Sequence, residues 1–300
     1  MSHEILYRER ASACLKVEDV YAGSFLWWVY NSRIGRLMES LFLRHKVLSR
    51  VYGWFYSTAW SKRFIEPFVR RMKVDMSDHL KSIREFQSFN DFFTREINLS
   101  RRSIESDPTL CLAPVDGKVL AHQEVDGDTE FHVKRHTFHL RSFLRDESLA
   151  HRFSGGALVI CRLSLRDYHH VHFPDSGVPG TPRTINGVLH AGGPYALSHF
   201  VSFYEENQRV ITLLESDHFG VIGIVEVGAF TVGSIRQGFQ PFRRVARGGH
   251  KGWFELGGST VVLLFEKGRI VLDEDLCRAT DRGIETFVPF GQSIGKPVEL

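Results

Sequence analysis

Two textures of apolar and polar positions divide the chain. Up to about residue 73 the apolar residues recur at helical spacing. Ile34, Leu37, Met38, Leu41 and Phe42 fall at i, i+3, i+4, i+7 and i+8, with Arg33, Arg36 and Glu39 on other faces. Val47, Leu48, Val51 and Phe55 repeat the pattern, and Arg44, Lys46 and Arg50 lie between the two stretches. From about residue 105 short β-rich runs alternate with Gly, Pro and Asp. The strand candidates are Ala157–Leu165, Val210–Leu214, Val221–Val232 and Thr260–Leu272. Phe138–Phe153 and Pro194–Glu206 read as short helices, as does Phe89–Glu96 in the joining stretch. The pattern predicts an α+β protein in three parts: an amphipathic helical segment 1–73, a connecting segment 74–104, and a mainly β body 105–300 of packed antiparallel sheets.

Charge follows the same division. Residues 1–73 carry 13 Lys/Arg against 6 Asp/Glu, and residues 74–300 carry 25 against 29. The first segment therefore expects an acidic partner surface. The net charge of +3 is too small to argue for nucleic acid. Residues 20–68 hold 13 aromatics, including four of the five tryptophans. The longest uncharged run there, Val20–Ser32, has 13 residues. A bilayer span needs about 20 apolar residues, so this segment is not expected to cross one. Apolar faces rich in aromatics and edged by Arg and Lys suit helices lying among anionic headgroups. The same periodicity also fits a helical hairpin whose aromatics fill core.

The four cysteines form no CxxC pair, which argues against zinc. Cys161 sits in an apolar run and reads as a buried thiol, consistent with a reducing compartment. The start MSHEILYRER is charged where a signal peptide needs apolar residues.

Three constellations carry chemistry. Gly257-Gly258-Ser259-Thr260 precedes an apolar strand. Two glycines permit backbone shapes closed to other residues, so that Ser259 can meet the carbonyl of its own preceding peptide bond. Read blandly, it is a tight turn entering a buried strand. In Asp167-Tyr168-His169-His170-Val171-His172 three histidines lie within four positions. An extended backbone puts His170 and His172 on one face and His169 on the other, whereas a turn lets His169 and His172 share a cavity. No acidic or Cys cluster accompanies them, so proton transfer is favoured over metal binding. Asp116, in Pro114-Val115-Asp116-Gly117-Lys118, is either a turn residue or a carboxylate that orients a histidine. In Phe89–Glu96, Asn90 or Asp91 is the expected helix cap.

Taken in order, the pieces FNDFFTRE (89–96), PVDGKV (114–119), DYHHVHFP (167–174), VEVGAFTVGSI (225–235), GGSTVVLLFE (257–266) and GQSIG (291–295) resemble the phosphatidylserine decarboxylase family over roughly residues 85–295. The resemblance implies that Ser259 cleaves the Gly258–Ser259 bond, with Asp116 and His172 as its relay. Large chain 1–258 and small chain 259–300 then form a heterodimer, and pairing of two such units stays open. It implies a pyruvoyl cofactor made from Ser259, which forms a Schiff base with phosphatidylserine and releases carbon dioxide, leaving phosphatidylethanolamine. His169 serves the decarboxylation, and no metal takes part. The family most often has Arg where this chain has His170. The substrate implies an anionic membrane, expected to be the cytoplasmic face of a bacterial inner membrane, met peripherally. A pyruvoyl enzyme for a soluble amino acid, or a Ser/His/Asp hydrolase without self-cleavage, are the alternative classes.

Overall fold

The computed structural model describes residues 5–39, 46–125, 139–190, 203–229, 235–257 and 259–298. In chain order the strands are β1 (Leu6–Glu9), β2 (Leu15–Val17), β3 (Cys111–Leu112), β4 (Gly117–Val125), β5 (Gly156–Leu163), β6 (His170–His172), β7 (Gly177–Pro179), β8 (Arg183–Ile185), β9 (Arg209–Ser216), β10 (Gly220–Gly228), β11 (Ile235–Gln237), β12 (His250–Phe254), β13 (Ser259–Phe265), β14 (Ile270–Leu272), β15 (Glu285–Val288) and β16 (Ser293–Pro297). The helices are α1 (Gly23–Asn31), α2 (Arg33–Met38), α3 (Lys46–Ser57), α4 (Ile65–Met72), α5 (Phe89–Phe93), α6 (Leu140–Leu144), α7 (Glu147–Phe153), α8 (Phe203–Glu206) and α9 (Glu274–Asp281).

The body is built on one large sheet in the order β2-β1-β15-β4-β5-β13-β10-β9-β7, with β8 also on β9. Two small sheets, β11-β12-β6 and β14-β16-β3, accompany it. In β13, Val261, Leu263 and Phe265 point to a core shared with Val171 of β6 and Phe254 of β12. Val262 and Leu264 point the other way, onto Leu140, Phe143 and Phe153 from α6 and α7. Successive strand residues face opposite sides, so a strand covered on both sides must be apolar throughout. That is why these runs read as continuous rather than alternating.

The mainly β expectation holds, with several differences in detail. The sheet is mixed, because β1 pairs parallel with β15 while its other pairs are antiparallel. Residues 6–17, inside the segment expected to be helical, are a strand pair added to the large sheet. Thr260–Leu272 is two strands, β13 and β14, broken by a turn in which Gly268 takes φ +70°. The first part of Pro194–Glu206, up to residue 202, lies outside the described residues, and its end is α8. The ends of the Ile34–Phe42 face and of Val221–Val232 also lie outside them. Phe138–Phe153 is α6 and α7, parted by Arg145 at φ +45°. The cap of α5 is Ser88, whose Oγ accepts from the Asp91 N–H at 3.1 Å, and not Asn90 or Asp91.

Helices α3, α4 and α5 enclose an aromatic cluster. Ile65, Phe68, Phe89, Phe92 and Phe93 are buried in it, with Tyr52 and Tyr56 packed against it. Trp27, Trp28, Ile34, Leu37, Val51, Trp54 and Trp60 remain exposed. The segment thus splits its apolar residues between a core and an outer surface. No helix among the described residues is long and apolar enough to cross a membrane.

A buried charge network fastens the first strands to the body. The Arg162 guanidinium bonds Glu285 at 3.0 and 2.6 Å and Glu18 at 3.1 and 2.6 Å. Lys118 Nζ lies 3.4 Å from Glu18 and 3.5 Å from Asp167. Removing one member of such a network leaves charge buried without a counter-charge, costing about 3–5 kcal/mol. Arg162→Met is therefore expected to lower the unfolding free energy by about that amount, read by urea titration at neutral pH.

Candidate active site

Ser259 is the first residue of β13 and pairs with Leu163 of β5 and Gly228 of β10. It is fully buried, and its Oγ has no hydrogen-bond partner among the described residues. Buried hydroxyls are normally bonded. Those of Ser49, Thr212, Thr260 and Thr286 are also without a partner among the described residues, and what sets Ser259 apart is its place at a strand start directly after two glycines. Gly257, just before it, has φ +143°, a backbone shape that side chains disfavour. Gly258 lies outside the described residues. The approach to Ser259 is tied to α5, since the Leu256 N–H donates to Asn90 Oδ1 at 3.0 Å.

His169 sits between the same elements. Its carbonyl accepts from the Phe254 N–H at 2.9 Å, and its ring lies on Phe93 with centroids 3.9 Å apart. His169 Nδ1 is 2.8 Å from the Asp167 carbonyl, which can only accept, so Nδ1 carries the proton. Nε2 is then an open lone pair, and it has no partner among the described residues. Burial, with the Arg95 cation nearby, pushes the His169 pKa down to about 3. Arg95 is itself held by the Asp167 and Arg166 carbonyls, at 3.1 and 2.6 Å. The Asp167 carboxylate accepts from the Ser164 N–H and hydroxyl, each at 2.7 Å. The loop beneath His169 is thereby rigidly bonded.

The extended alternative for the histidine triplet is the one observed: His170 and His172 lie in β6 and face one side. His172 Nδ1 donates to the Gly248 carbonyl at 2.9 Å, which leaves Nε2 to accept from the Tyr168 hydroxyl at 3.2 Å. Its ring stacks on Phe290 at 3.9 Å between centroids. Burial holds its pKa near 3 as well, at about 3. Asp116 forms a two-bond pair with Arg102, at 3.0 and 2.9 Å, and accepts from the Phe290 N–H at 2.8 Å. Burial nevertheless raises the Asp116 pKa above the usual carboxylate value. Asp116 and His172 therefore share Phe290. No hydrogen bond joins Asp116, His172 and Ser259 to one another among the described residues.

His170 stands where the resemblance led one to expect Arg. It stacks on Tyr168 with centroids 4.9 Å apart, accepts from His250 Nε2 at 2.9 Å, and donates to the Thr94 carbonyl at 3.0 Å. Burial lowers its pKa, so a neutral ring replaces a cation. Two clefts open on this region. One of about 540 Å³ is bordered by Arg102, Asp116, Asp167 and Tyr168. The other, of about 380 Å³, is bordered by His170, His250 and Trp253. Arg95 borders both.

Sequence reasoning missed Arg95, Arg102 and the hydroxyl of Tyr168. Arg95 and Tyr168 lie inside quoted motifs, so position was the available signal. Arg102 belongs to an ordinary Arg-Arg pair and carried none.

Fold and site together define an α+β protein, mainly β, with a buried serine at a strand start and a cluster of histidines kept neutral by burial. The family model described as phosphatidylserine decarboxylase matches residues 89–296. A protein of Chlamydia felis is 41% identical over 293 residues, covering 98% of each chain. One of Clostridium beijerinckii is 39% identical over 282 residues, covering 94% of this chain and 95% of its own. One of Desulfitobacterium hafniense is 39% identical, covering 97% and 98%. Each is called a phosphatidylserine decarboxylase proenzyme. The chain belongs to the phosphatidylserine decarboxylase family.

The depressed histidines carry a pH signature. A folded-state pKa of about 3 for His169, against the ordinary 6.5, means the unfolded chain binds the proton first as pH falls. This stability is complete above pH 6.5 and is lost between 6.5 and about 3. His169→Gln is expected to make the fall of unfolding free energy in that window shallower by about 1.4 kcal/mol per pH unit. Urea unfolding at a series of pH values checks the slope.

Proposed function

We propose that this chain is the precursor of a self-processing phosphatidylserine decarboxylase, which cuts itself between Gly258 and Ser259 and then forms phosphatidylethanolamine and carbon dioxide. One observation carries the reading: the buried Ser259 hydroxyl without a partner, at the start of a central strand and directly after two glycines.

In the cleavage, His172 takes the Ser259 hydroxyl proton and Asp116 favours the imidazolium. His172 Nε2 must first exchange its Tyr168 bond for one to Ser259. Ser259 Oγ adds to the Gly258 carbonyl carbon, the amide C–N bond breaks, and the amine takes up the proton, leaving an ester. Loss of the Ser259 Cα proton then breaks the Cβ–O bond and frees the Gly258 carboxylate. Residue 259, now dehydroalanine, tautomerises to an imine. Water replaces the nitrogen, which leaves as ammonia.

The resulting pyruvoyl group would supply a ketone as electron sink for the pair left when carbon dioxide departs from the lipid. The residues present suit it, because Ser259 lies in a closed site and the nearby imidazoles are neutral. His169 Nε2, open and unprotonated, takes up the proton that nitrogen sheds as the amine adds to the ketone, and returns it to the carbon that loses the carboxylate. The 540 Å³ cleft carries Lys73, Arg101 and Arg166 beside Asp75 and Asp78, charges of both signs that suit a headgroup with phosphate, carboxylate and ammonium.

The substrate resides in a bilayer, so the enzyme must work at its surface. The exposed aromatics of segment 1–73, with its excess of Lys and Arg, form the surface that meets anionic lipid. We place the protein peripherally on the cytoplasmic face of the inner cell membrane. Chains 1–258 and 259–300 stay together as a heterodimer through the pairing of β13 with β5 and β10. Segment 74–104, with α5, links the lipid-facing part to the body.

Intact mass spectrometry of purified protein should show two chains, the smaller starting at position 259 and reactive toward hydrazine. Ser259→Ala and His172→Ala should each leave one chain. His169→Ala should cleave at least partly yet turn over at least about 100-fold more slowly. A single unbroken wild-type chain with full activity would sink the reading.

Exchanging Trp54 and Trp60 for glutamate should weaken binding to phosphatidylserine-containing vesicles by about tenfold or more while leaving self-cleavage intact, measured by vesicle co-sedimentation.

A further inference from the structure

A second set of buried charges lies on the same face of the large sheet as Ser259. Glu226 of β10 is fully buried and pairs with Val261, two residues beyond Ser259. Gly228, which pairs with Ser259, has no side chain to intervene. Glu226 and Ser259 are therefore diagonal neighbours on one face, about 7–8 Å apart along the backbone, within reach of a long side chain.

Lys251 meets Glu226 from the opposing sheet. His250 pairs with His172 and Gly252 with Val171, which leaves Lys251 as the extra residue of a bulge. A bulge re-aims a side chain, and that of Lys251 is fully buried. Its Nζ is 2.8 Å from Glu226 Oε2 and donates to Gln237 Oε1 at 2.7 Å. Gln237 Nε2 donates to the same Glu226 Oε2 at 2.7 Å. One carboxylate oxygen thus has two donors. The other, Oε1, is buried with no partner among the described residues.

That asymmetry points to function. A pair kept only for stability gains by bonding both oxygens, and a buried ion pair is a poor stabiliser in any case. An ionised carboxylate only accepts, so the open oxygen is matched by a donor that arrives later. On the pyruvoyl reading, which this inference rests on, the arriving headgroup bears a primary ammonium. Its nitrogen must lose a proton before it can attack a carbonyl carbon.

We propose that Glu226 is a further catalytic residue. Its Oε1 accepts a hydrogen bond from the headgroup ammonium and then the proton, giving a free amine and a neutral Glu226 carboxylic acid. Lys251 and Gln237 are positioning residues that hold Oε2 and so aim Oε1. His169 is left free for the later proton transfer to carbon.

The test uses the self-cleaved protein with ethanolamine and cyanoborohydride. The mass gained by chain 259–300 is followed over time across a pH series, and the same spectra give the extent of cleavage. Wild type should trap the amine at a rate nearly level around neutral pH. Glu226→Gln should cleave like wild type but trap on the order of 100-fold more slowly at neutral pH. Its rate should climb about tenfold per pH unit, because only amine already deprotonated in solution reacts. A Glu226→Gln profile that overlays wild type overturns the proposal. Should that variant fail to cleave, Lys251→Met decides. With the group that holds Oε2 removed, trapping at neutral pH must slow by about tenfold or more at equal cleavage, and a rate equal to wild type overturns the proposal. No trapped mass in wild type would instead strike the ketone at position 259, and with it the reading beneath.

Discussion

Backbone pairing on both sides of β13 is the constraint on which the site depends. Residues 259–265 are bonded to β10 on one edge and residues 259–264 to β5 on the other. A serine at the first of these positions cannot drift, and burial removes the water that would otherwise satisfy its hydroxyl. The same pairing would keep a severed small chain in place without any covalent link. Its later strands reinforce this, since β15 pairs with β4 and β1, and β16 with β3. A break before residue 259 would therefore cost little order.

Desolvation sets the electrostatics around that strand. His169 and His172 are neutral because burial removes the water an imidazolium needs, and at His169 burial together with the Arg95 cation outweighs the pull of Asp167. Asp116 shows the same pressure in the opposite sense, with burial outweighing its Arg102 pair. Lys251 is pushed down by burial and held by Glu226. Burial thus fixes the protonation state that each group brings to the site. By contrast, Arg162 keeps its charge between Glu18 and Glu285 and serves to fasten strands.

Fastening links the first segment to the site. Glu18 follows β2 and contacts both Arg162 and Lys118, and Lys118 in turn reaches the Asp167 carboxylate beneath His169. The aromatic cluster of α3, α4 and α5 approaches from another side, with Phe93 against His169 and Asn90 on Leu256. The segment with the exposed tryptophans is thus continuous with the packing that supports the histidine and the approach to Ser259.

By itself the sequence determined the β-rich body, the helical periodicity around residues 34–55, and the motifs that carry the family. These depend on local spacing: two-residue alternation, four-residue recurrence, and glycines where only glycine fits, as at Gly257. Tertiary structure decided the rest, because it depends on residues far apart in the chain. Residues 6–17 fall in a segment that reads as helical until β15, about 280 residues further on, gives β1 an edge to join. Asp116 reads as a turn until Arg102 and the Phe290 amide surround it. Glu226 and Lys251 looked like ordinary strand polarity, since no spacing foretells that a bulge will turn one toward the other. Burial and long-range contact assign charge and direction to a side chain, and neither is written in its immediate neighbours.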